Sequence, residues 1–475
     1  VRKKNVVLTD VPVTGYAAEG KALAKIDGKV IFIEGGVMPG DVVDVRLSKN
    51  KKDWAEGKAT TIHTYSPDRV EPFCEHFGLC GGCKWQMMPY SLQLQYKQQQ
   101  VQDHLSRIGR MPLPEMNPIL GSELTEKYRN KLEFTFSNKA YLTNEEIAAA
   151  GDGEIKQRSA LGFHVPRLFD KVLDINTCYL QDEPTNLIRN TIKEYALANN
   201  LPFYDIRNHE GWLRNLVIRV LRTGEVMVNL VLHHESKEER IALLDHLLAK
   251  VPSITTLLYT FNPKKNDSIF DLEPKVYFGK GYAEERLEDF TFKIGPKSFF
   301  QTNTHQGERL YQVTRDFAGL TGNEVVYDLY CGTGSIGIFV SRMAKKVIGI
   351  ELIKEAIDDA IENADRNDVK NAQFYAGDVI DICDDAFFAA HGAPDVIITD
   401  PPRAGMHEKL VQKLLEIAAP KIVYVSCNPA TQARDLALLH EKYTVEKIQP
   451  VDMFPHTHHI ENVVLLKRRD TDLTS

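Results

Sequence analysis

The chain has 475 residues, of which 43% are hydrophobic and 26% charged. This is an ordinary globular composition; it excludes a disordered chain and a bundle of membrane spans, and the length suits two to four domains at roughly 100–200 residues each. A formal net charge of −7 excludes a uniformly basic nucleic-acid coat but not local basic patches.

The first residues, Val1-Arg2-Lys3-Lys4, are basic but lead into no apolar run of signal-peptide length, so no export signal is expected and cytoplasm is the default. Residues 6–65 alternate in short runs such as Lys29-Val-Ile-Phe-Ile33 and Asp41-Val-Val-Asp-Val-Arg46. Turn signals at Asp27-Gly28, Gly35-Gly36 and Pro39-Gly40 separate them. This pattern predicts a small OB-like β-barrel, a common support for RNA that also occurs as a purely structural unit. Residues 1–70 hold twelve Lys/Arg against nine Asp/Glu, so the rest of the chain is the acidic part. Lys49, Lys51 and Lys52 read equally well as phosphate contacts or as a solvated loop. Ser66-Pro67 marks a boundary.

Seven cysteines are too few and too unevenly placed for a disulfide framework, and their grouping points to metal. Cys74-x5-Cys80-x2-Cys83 offers three thiolates on one tight loop, and Cys178 is the one further cysteine before the C-terminal half. Four thiolates spaced in this way suit a 4Fe-4S cluster better than zinc, which usually takes two short-spaced pairs; zinc is the competing reading. Ser91 to Arg110 then predicts an amphipathic helix on Leu92, Tyr96, Val101, Leu105 and Ile108. Residues 128–295 read as a mixed, strand-rich α+β region, with strands at Lys131–Phe136 and Leu216–Leu221 and a helix near 236–250.

From about residue 322 the rhythm becomes strand, turn, helix. Val325-Val-Tyr-Asp-Leu-Tyr330 runs into Cys331-Gly-Thr-Gly-Ser-Ile-Gly337, whose glycines let backbone approach a ligand at a helix start. The next strand ends at Glu351, seventeen residues after Gly334, where a carboxylate can accept both ribose hydroxyls. Phe374–Asp378, Asp395–Asp400 and Lys421–Ser426 supply three more buried-type strands, predicting a doubly wound α/β sheet. Ligands on such sheets bind at the carboxyl ends of the strands, where Tyr330, Glu351, Asp378, Asp400 and Cys427 all fall. Asp-Leu-Tyr-Cys-Gly-Thr-Gly lacks the third glycine of a dinucleotide fingerprint and resembles the first motif of class I (Rossmann-like) methyltransferases. The cofactor expected is therefore S-adenosylmethionine.

Asp400-Pro-Pro-Arg-Ala-Gly405 and Ser426-Cys427-Asn428-Pro429 follow neighbouring strands. A thiol beside a methyl donor suits methylation of carbon 5 of uracil: thiolate addition to carbon 6 turns a poor carbon nucleophile into an enolate, and a base must later remove the carbon 5 proton. Cys427 is the candidate nucleophile against a plain buried thiol. Glu461, opening a final antiparallel strand, is the candidate base against a surface carboxylate. Cys331 and Cys383 read as structural, and His456, His458 and His459 as loop packing or substrate contacts rather than a metal site.

Asp400-Pro-Pro-Arg, Val425-Ser-Cys427-Asn-Pro and Phe454-Pro-His-Thr-x-His-Ile-Glu461 together resemble the RNA 5-methyluridine (uracil-5-) methyltransferases over nearly the whole chain. The resemblance implies that the barrel is a TRAM domain, that Cys427 and Glu461 are nucleophile and base, and that Gln301, in Phe299-Phe-Gln301-Thr-Asn303, joins Tyr330, Glu351 and Asp400 at the cofactor. Cys74, Cys80, Cys83 and Cys178 match the iron–sulfur ligands of the family's ribosomal-RNA branch, which implies 23S rRNA as substrate. A transfer-RNA enzyme and a non-catalytic RNA-binding assembly factor are the alternatives. Ser335 stands where some relatives carry Asn. The expected domains are a barrel over 1–69, a central domain over 70–290 with residues about 91–124 packing against the catalytic part, and a methyltransferase domain over 291–475. The chain is expected to act as a monomer away from membranes.

Overall fold

The computed structural model of the protein describes residues 6–150 and 158–469; the basic start Val1–Lys4 lies outside them. Two compact units divide the chain: the described residues of Val1–Gly78, Cys83–Thr125 and Gln306–Ser475 form the first, and those of Leu79–Gly82 and Glu126–His305 the second.

In the first unit, the strands Val7–Pro12, Gly15–Tyr16, Ala22–Ile26, Lys29–Glu34, Val42–Asn50 and Trp54–Thr64 join one six-stranded sheet. Alternation does what the sequence pattern requires: Ala22 and Ala24, Ile31 and Ile33, and Val43 and Val45 turn inward to a shared core with Val11 and Ala55. The helix Tyr90–His104 follows, continued by a wider π turn over Leu105–Gly109. Its buried face differs from expectation. Gln93, Lys97, Val101 and Leu105 are buried, Leu92 and Tyr96 flank a small cluster around Trp85, Met87 and Met88, and Ile108 is exposed. The polar residues on the inner face have partners waiting for them, as described below.

The C-terminal sheet has seven strands: β1 (Val325–Leu329), β2 (Lys346–Glu351), β3 (Ala372–Ala376), β4 (Val396–Thr399), β5 (Lys421–Ser426), β6 (Tyr443–Val451) and β7 (Glu461–Arg468). Their spatial order is β3-β2-β1-β4-β5-β7-β6. β1 to β5 run parallel, and β7 is antiparallel to both β5 and β6. The central strands are buried on both faces, hence their continuous apolar runs. Val101 and Leu105 from the helical segment, and Met111 just beyond it, share one core with Tyr327, Ile397, Ile422, Leu436 and Val464. This is the class I methyltransferase fold, with β7 reversed so that its start lies beside the end of β5.

The second unit holds a seven-stranded mixed sheet in which Leu213–Val220 pairs with both Lys131–Ser137 and Val226–Leu232. Helices Thr185–Ala198 and Lys237–Lys250 contribute Ile188, Ile192, Leu243 and Leu247 to its core. Among the described residues no helix is long and apolar enough to cross a membrane.

Candidate active site

β1 is followed at once by Tyr330, whose φ of 60° is strained for a residue with a side chain and sends the chain sharply into Cys331-Gly-Thr-Gly. Gly334 takes φ 76°, and a Cβ there would come within 2.9 Å of the Ala360 Cβ and 3.0 Å of the Phe374 ring, so the turn closes only on glycine. Buried Asp328 in β1 accepts the Gly337 N–H at 2.8 Å, tying the strand to the helix Ser335–Val340. The Glu351 carboxylate is fixed at the end of β2 by the Gly332 N–H at 3.3 Å and the Ile353 N–H at 3.0 Å. Asp378, exposed after β3, caps the following turn through the Ile380 N–H at 2.9 Å. The Ser335 hydroxyl lies 3.0 Å from the Tyr311 hydroxyl. Burial raises the Tyr330 phenol to about 12, with the charges of Asp378, Asp435 and Glu351 adding to the effect.

The second half of the edge is built on the pairing of β5 with β7. Ser426 lies opposite Asn462, which makes Cys427 and Glu461 the next pair in register beyond the last ladder rung. Gln432 stitches this end together: its side-chain N–H groups donate to the Tyr424 carbonyl at 3.0 Å and the Asn462 carbonyl at 3.2 Å, and its oxygen accepts from Asn462 at 2.7 Å. Asn428 caps the helix Pro429–Leu439 and also donates to the Arg403 carbonyl at 3.0 Å, as does the Thr431 hydroxyl at 3.2 Å. The Asp400–Met406 loop is thereby laid on that helix. Gly405, at φ 76°, makes the fit possible, since a Cβ would meet Arg434 and Asp435 at 2.7 Å.

Three acids and one guanidinium share this corner. Burial, then the nearby carboxyls of Glu461 and Asp400, push the Cys427 thiol up to about 11, while Arg403 opposes them. Glu461 is buried, which with the charge of Asp400 raises its carboxyl well above the usual range; Arg403 again opposes. Burial raises Asp400 to about 7. The Arg403 guanidinium lies 3.2 Å from the His459 Nδ1. A thiol, an acid able to retain a proton and a cation that favours both anions therefore belong to the joined ends of β5 and β7 and the loop laid against them.

Profiles of two known families match the chain: one described as tRNA (Uracil-5-)-methyltransferase over residues 218–469, and the TRAM domain over residues 5–60. An uncharacterized RNA methyltransferase of Bacteroides thetaiotaomicron is 55% identical over 457 residues, covering 95% of this chain and 100% of its own. Another, from Porphyromonas gingivalis, is 52% identical over 461 residues, covering 96% and 99%. This chain belongs to the uracil-5-methyltransferase family of RNA methyltransferases. Among solved structures, a Pyrococcus abyssi tRNA (uracil-54, C5)-methyltransferase in complex with S-adenosyl-L-homocysteine aligns with a TM-score of 0.74 at 27% identity, covering 97% of this chain and 100% of that one.

In this methyltransferase the first unit brings Tyr330, Glu351, Asp378, Asp400, Cys427 and Glu461 to one sheet edge. Gln301 belongs to the second unit, where its carbonyl accepts the Asn130 side-chain N–H at 2.8 Å. Cys74, Cys80, Cys83 and Cys178 are all half-buried, but among the described residues no three His, Cys, Asp or Glu side chains are grouped as a metal ion would need. Loop spacing supplied the donor types without fixing where the sulfurs point. Cys331 and Cys383 are buried, as structural thiols are. Sequence reading named Arg403 within a motif without assigning it a charge role, and it passed over Gln93, Lys97 and Asp452 entirely. Polar residues at the inward positions of an otherwise amphipathic helix were the available signal.

Proposed function

We propose that this methyltransferase transfers a methyl group to carbon 5 of a uridine in 23S ribosomal RNA through a covalent cysteine–uracil adduct. The observation that carries the reading is the register of β5 on β7, which sets Cys427 beside Glu461 at the sheet edge where the glycine motif and Glu351 also end. Tyr330, Glu351, Asp378 and Asp400 are the residues assigned to hold S-adenosylmethionine, and the polar edge around Glu351 suits its ribose. Bound there, S-adenosylmethionine supplies an electrophilic methyl group.

The protein's own part is nucleophile, base and charge control. The Cys427 thiolate adds to carbon 6 of the uracil, forming an S–C bond and shifting the ring electrons toward carbon 5 and the oxygen at carbon 4. Once carbon 5 carries its new methyl group, Glu461 takes the remaining carbon 5 proton. The electron pair re-forms the 5,6 double bond and the sulfur is expelled as thiolate. A carboxyl whose burial raises its pKa is suited to keep that proton. The target base must be unstacked from folded RNA, which costs on the order of a few kcal/mol, and the N-terminal barrel is assigned to holding the RNA meanwhile.

RNA carrying 5-fluorouridine tests the reading, because fluorine cannot leave as a proton. The wild-type chain should form a stable adduct, Cys427→Ala none, and Glu461→Gln should accumulate a covalent species even on ordinary uridine RNA. Equal trapping by wild type and Cys427→Ala would remove Cys427 from its role, and no adduct with either would leave an RNA-binding protein. A transfer-RNA substrate is the second reading, supported by the full-length likeness to the Pyrococcus abyssi tRNA enzyme, barrel included. Mapping 5-methyluridine in ribosomal and transfer RNA from cells with and without this gene separates the two.

The proposal extends to a 4Fe-4S cluster on Cys74, Cys80, Cys83 and Cys178, supported by four soft donors and their spacing. The positions of these side chains do not themselves form a ligand set, and no step of the chemistry is drawn through it. Anaerobically purified protein should contain about four irons and four sulfides per chain; a zinc-loaded or metal-free protein overturns the assignment.

A further inference from the structure

The loop from Asp452 to Ile460 joins the end of β6 to the start of β7 and so determines where Glu461 begins. It contains no regular hydrogen-bonded element, and His456 within it takes φ 63°, a left-handed conformation that needs outside support. Support comes from a helix more than 350 residues earlier in the chain. Lys97 and Asp452 form an ion pair of 2.6 Å in which both side chains are fully buried. The Lys97 ammonium also donates to the Phe454 carbonyl at 3.1 Å, and Asp452 accepts the Tyr90 hydroxyl at 2.8 Å and the Phe454 N–H at 3.0 Å. One turn back on the same helix face, Gln93 accepts the His456 N–H at 2.8 Å through its oxygen. Its nitrogen donates to the Trp85 carbonyl at 3.0 Å and the Met88 carbonyl at 3.1 Å, and lies 3.2 Å from the His456 Nδ1. From the other side the Lys84 and Trp85 N–H groups both donate to the His456 carbonyl, at 2.8 and 3.1 Å.

A buried ion pair stabilises a fold no better than apolar residues of the same volume, so its presence calls for another account. Unlike an apolar contact, it fixes direction: the hydrogen-bond partners of the Lys97, Asp452 and Gln93 side chains lie on this one loop or on the segment bracing it. We infer that Lys97 and Gln93 are positioning residues, which lock the Asp452–Ile460 loop and thereby aim Glu461 for removal of the carbon 5 proton. The inference rests on the proposed role of Glu461. It assigns to the N-terminal helix a part in the second half of the reaction, leaving the first half to Cys427.

The test separates the two halves in the full chain. Adduct formation is followed with 5-fluorouridine RNA, and proton removal by release of tritium from RNA labelled at carbon 5 of uridine. Gln93→Met and Lys97→Met should slow tritium release by about tenfold or more, as a displaced catalytic group would. The rate of 5-fluorouridine trapping should stay within about twofold of wild type, and an uncleaved adduct should build up on ordinary RNA. A general loss of structure would lower both rates together. Parallel loss, or no loss of tritium release, in chains that remain folded overturns the inference. If Lys97→Met leaves Asp452 stranded and does not fold, Gln93→Met decides alone, because the ion pair remains intact in it. Absence of trapping in wild type would instead count against the covalent mechanism itself.

Discussion

At Cys427 burial and the neighbouring carboxyls of Glu461 and Asp400 hold the thiol protonated, up to about 11, against the pull of Arg403. Only the thiolate reacts, so alkylation of Cys427 by iodoacetamide should climb with pH through the whole range from 6 to about 10, with no plateau near the usual cysteine value. The two neighbours then make opposite predictions. Removing the cation in Arg403→Gln leaves the thiolate less favoured, raising the pKa and slowing alkylation at pH 8 by a factor of about three to ten. Glu461→Gln removes the negative charge that this carboxyl carries once ionised, so it lowers the thiol pKa and speeds alkylation, increasingly so as the pH rises. Mass spectrometry of the peptide containing Cys427 measures both, and shifts of the same sign would show that these side chains do not set the field at the sulfur. The contrast matters because Glu461→Gln should activate the thiol while blocking turnover, which a simple unfolding effect would not do.

Among the elements, the Asp400–Met406 loop depends on the helix Pro429–Leu439 for its path. Arg434 donates to the Ala404 and Met406 carbonyls at 3.0 Å each, Asp435 accepts the Met406 N–H at 2.8 Å and the buried Tyr424 hydroxyl at 2.7 Å, and Gly405 lies against both side chains. Gly405→Ala meets them at 2.7 Å in a left-handed conformation, so the loop should shift and the fold lose about 1–3 kcal/mol, read as a lower Tm. Trapping of 5-fluorouridine RNA should fall more than S-adenosylmethionine affinity, because Arg403 is displaced from the thiol, whereas of the residues assigned to the cofactor only Asp400 lies on this loop and Tyr330, Glu351 and Asp378 stand at the ends of other strands. An unchanged Tm would mean that the helix does not constrain the loop. Much of this sheet was legible in the sequence. β1, β4 and β5 are buried on both faces and so read as continuous apolar runs, and the antiparallel return of β7 followed from the family likeness. The helix Tyr90–His104 was legible only as a helix. Of the inward face assigned by hydrophobicity to Leu92, Tyr96, Val101, Leu105 and Ile108, the structure buries Val101 and Leu105 but adds Gln93 and Lys97, whose partners Asp452 and His456 lie too far along the chain for any local pattern to reveal.

For the molecule as a whole, a chain of net charge −7 has to bind a polyanion through a local surplus of positive charge. Residues 1–70 as a stretch hold twelve Lys/Arg against nine Asp/Glu, and within the barrel, where the two signs balance, the lysines are not equivalent. Lys49 lies 2.8 Å from Glu56, which spends its charge within the protein, whereas Lys51 and Lys52 are exposed on the turn between the strands Val42–Asn50 and Trp54–Thr64. The sequence showed three lysines in a cluster, and only the strand pairing that brings Glu56 across from Lys49 distinguishes them. If Lys51 and Lys52 each neutralise one phosphate, replacing both with Gln weakens RNA binding and flattens its salt dependence. With a slope of about −0.7 per phosphate for single-stranded RNA, the plot of log affinity against log salt should lose about 1.4 in slope. Lys49→Gln should change it by much less, because that substitution frees Glu56 as it removes the cation. S-adenosylmethionine affinity should stay constant in all these variants, since none touches the sheet edge at Glu351. An unaltered slope in the Lys51→Gln, Lys52→Gln chain would make the turn a solvated loop and move the RNA-binding charge elsewhere on the surface.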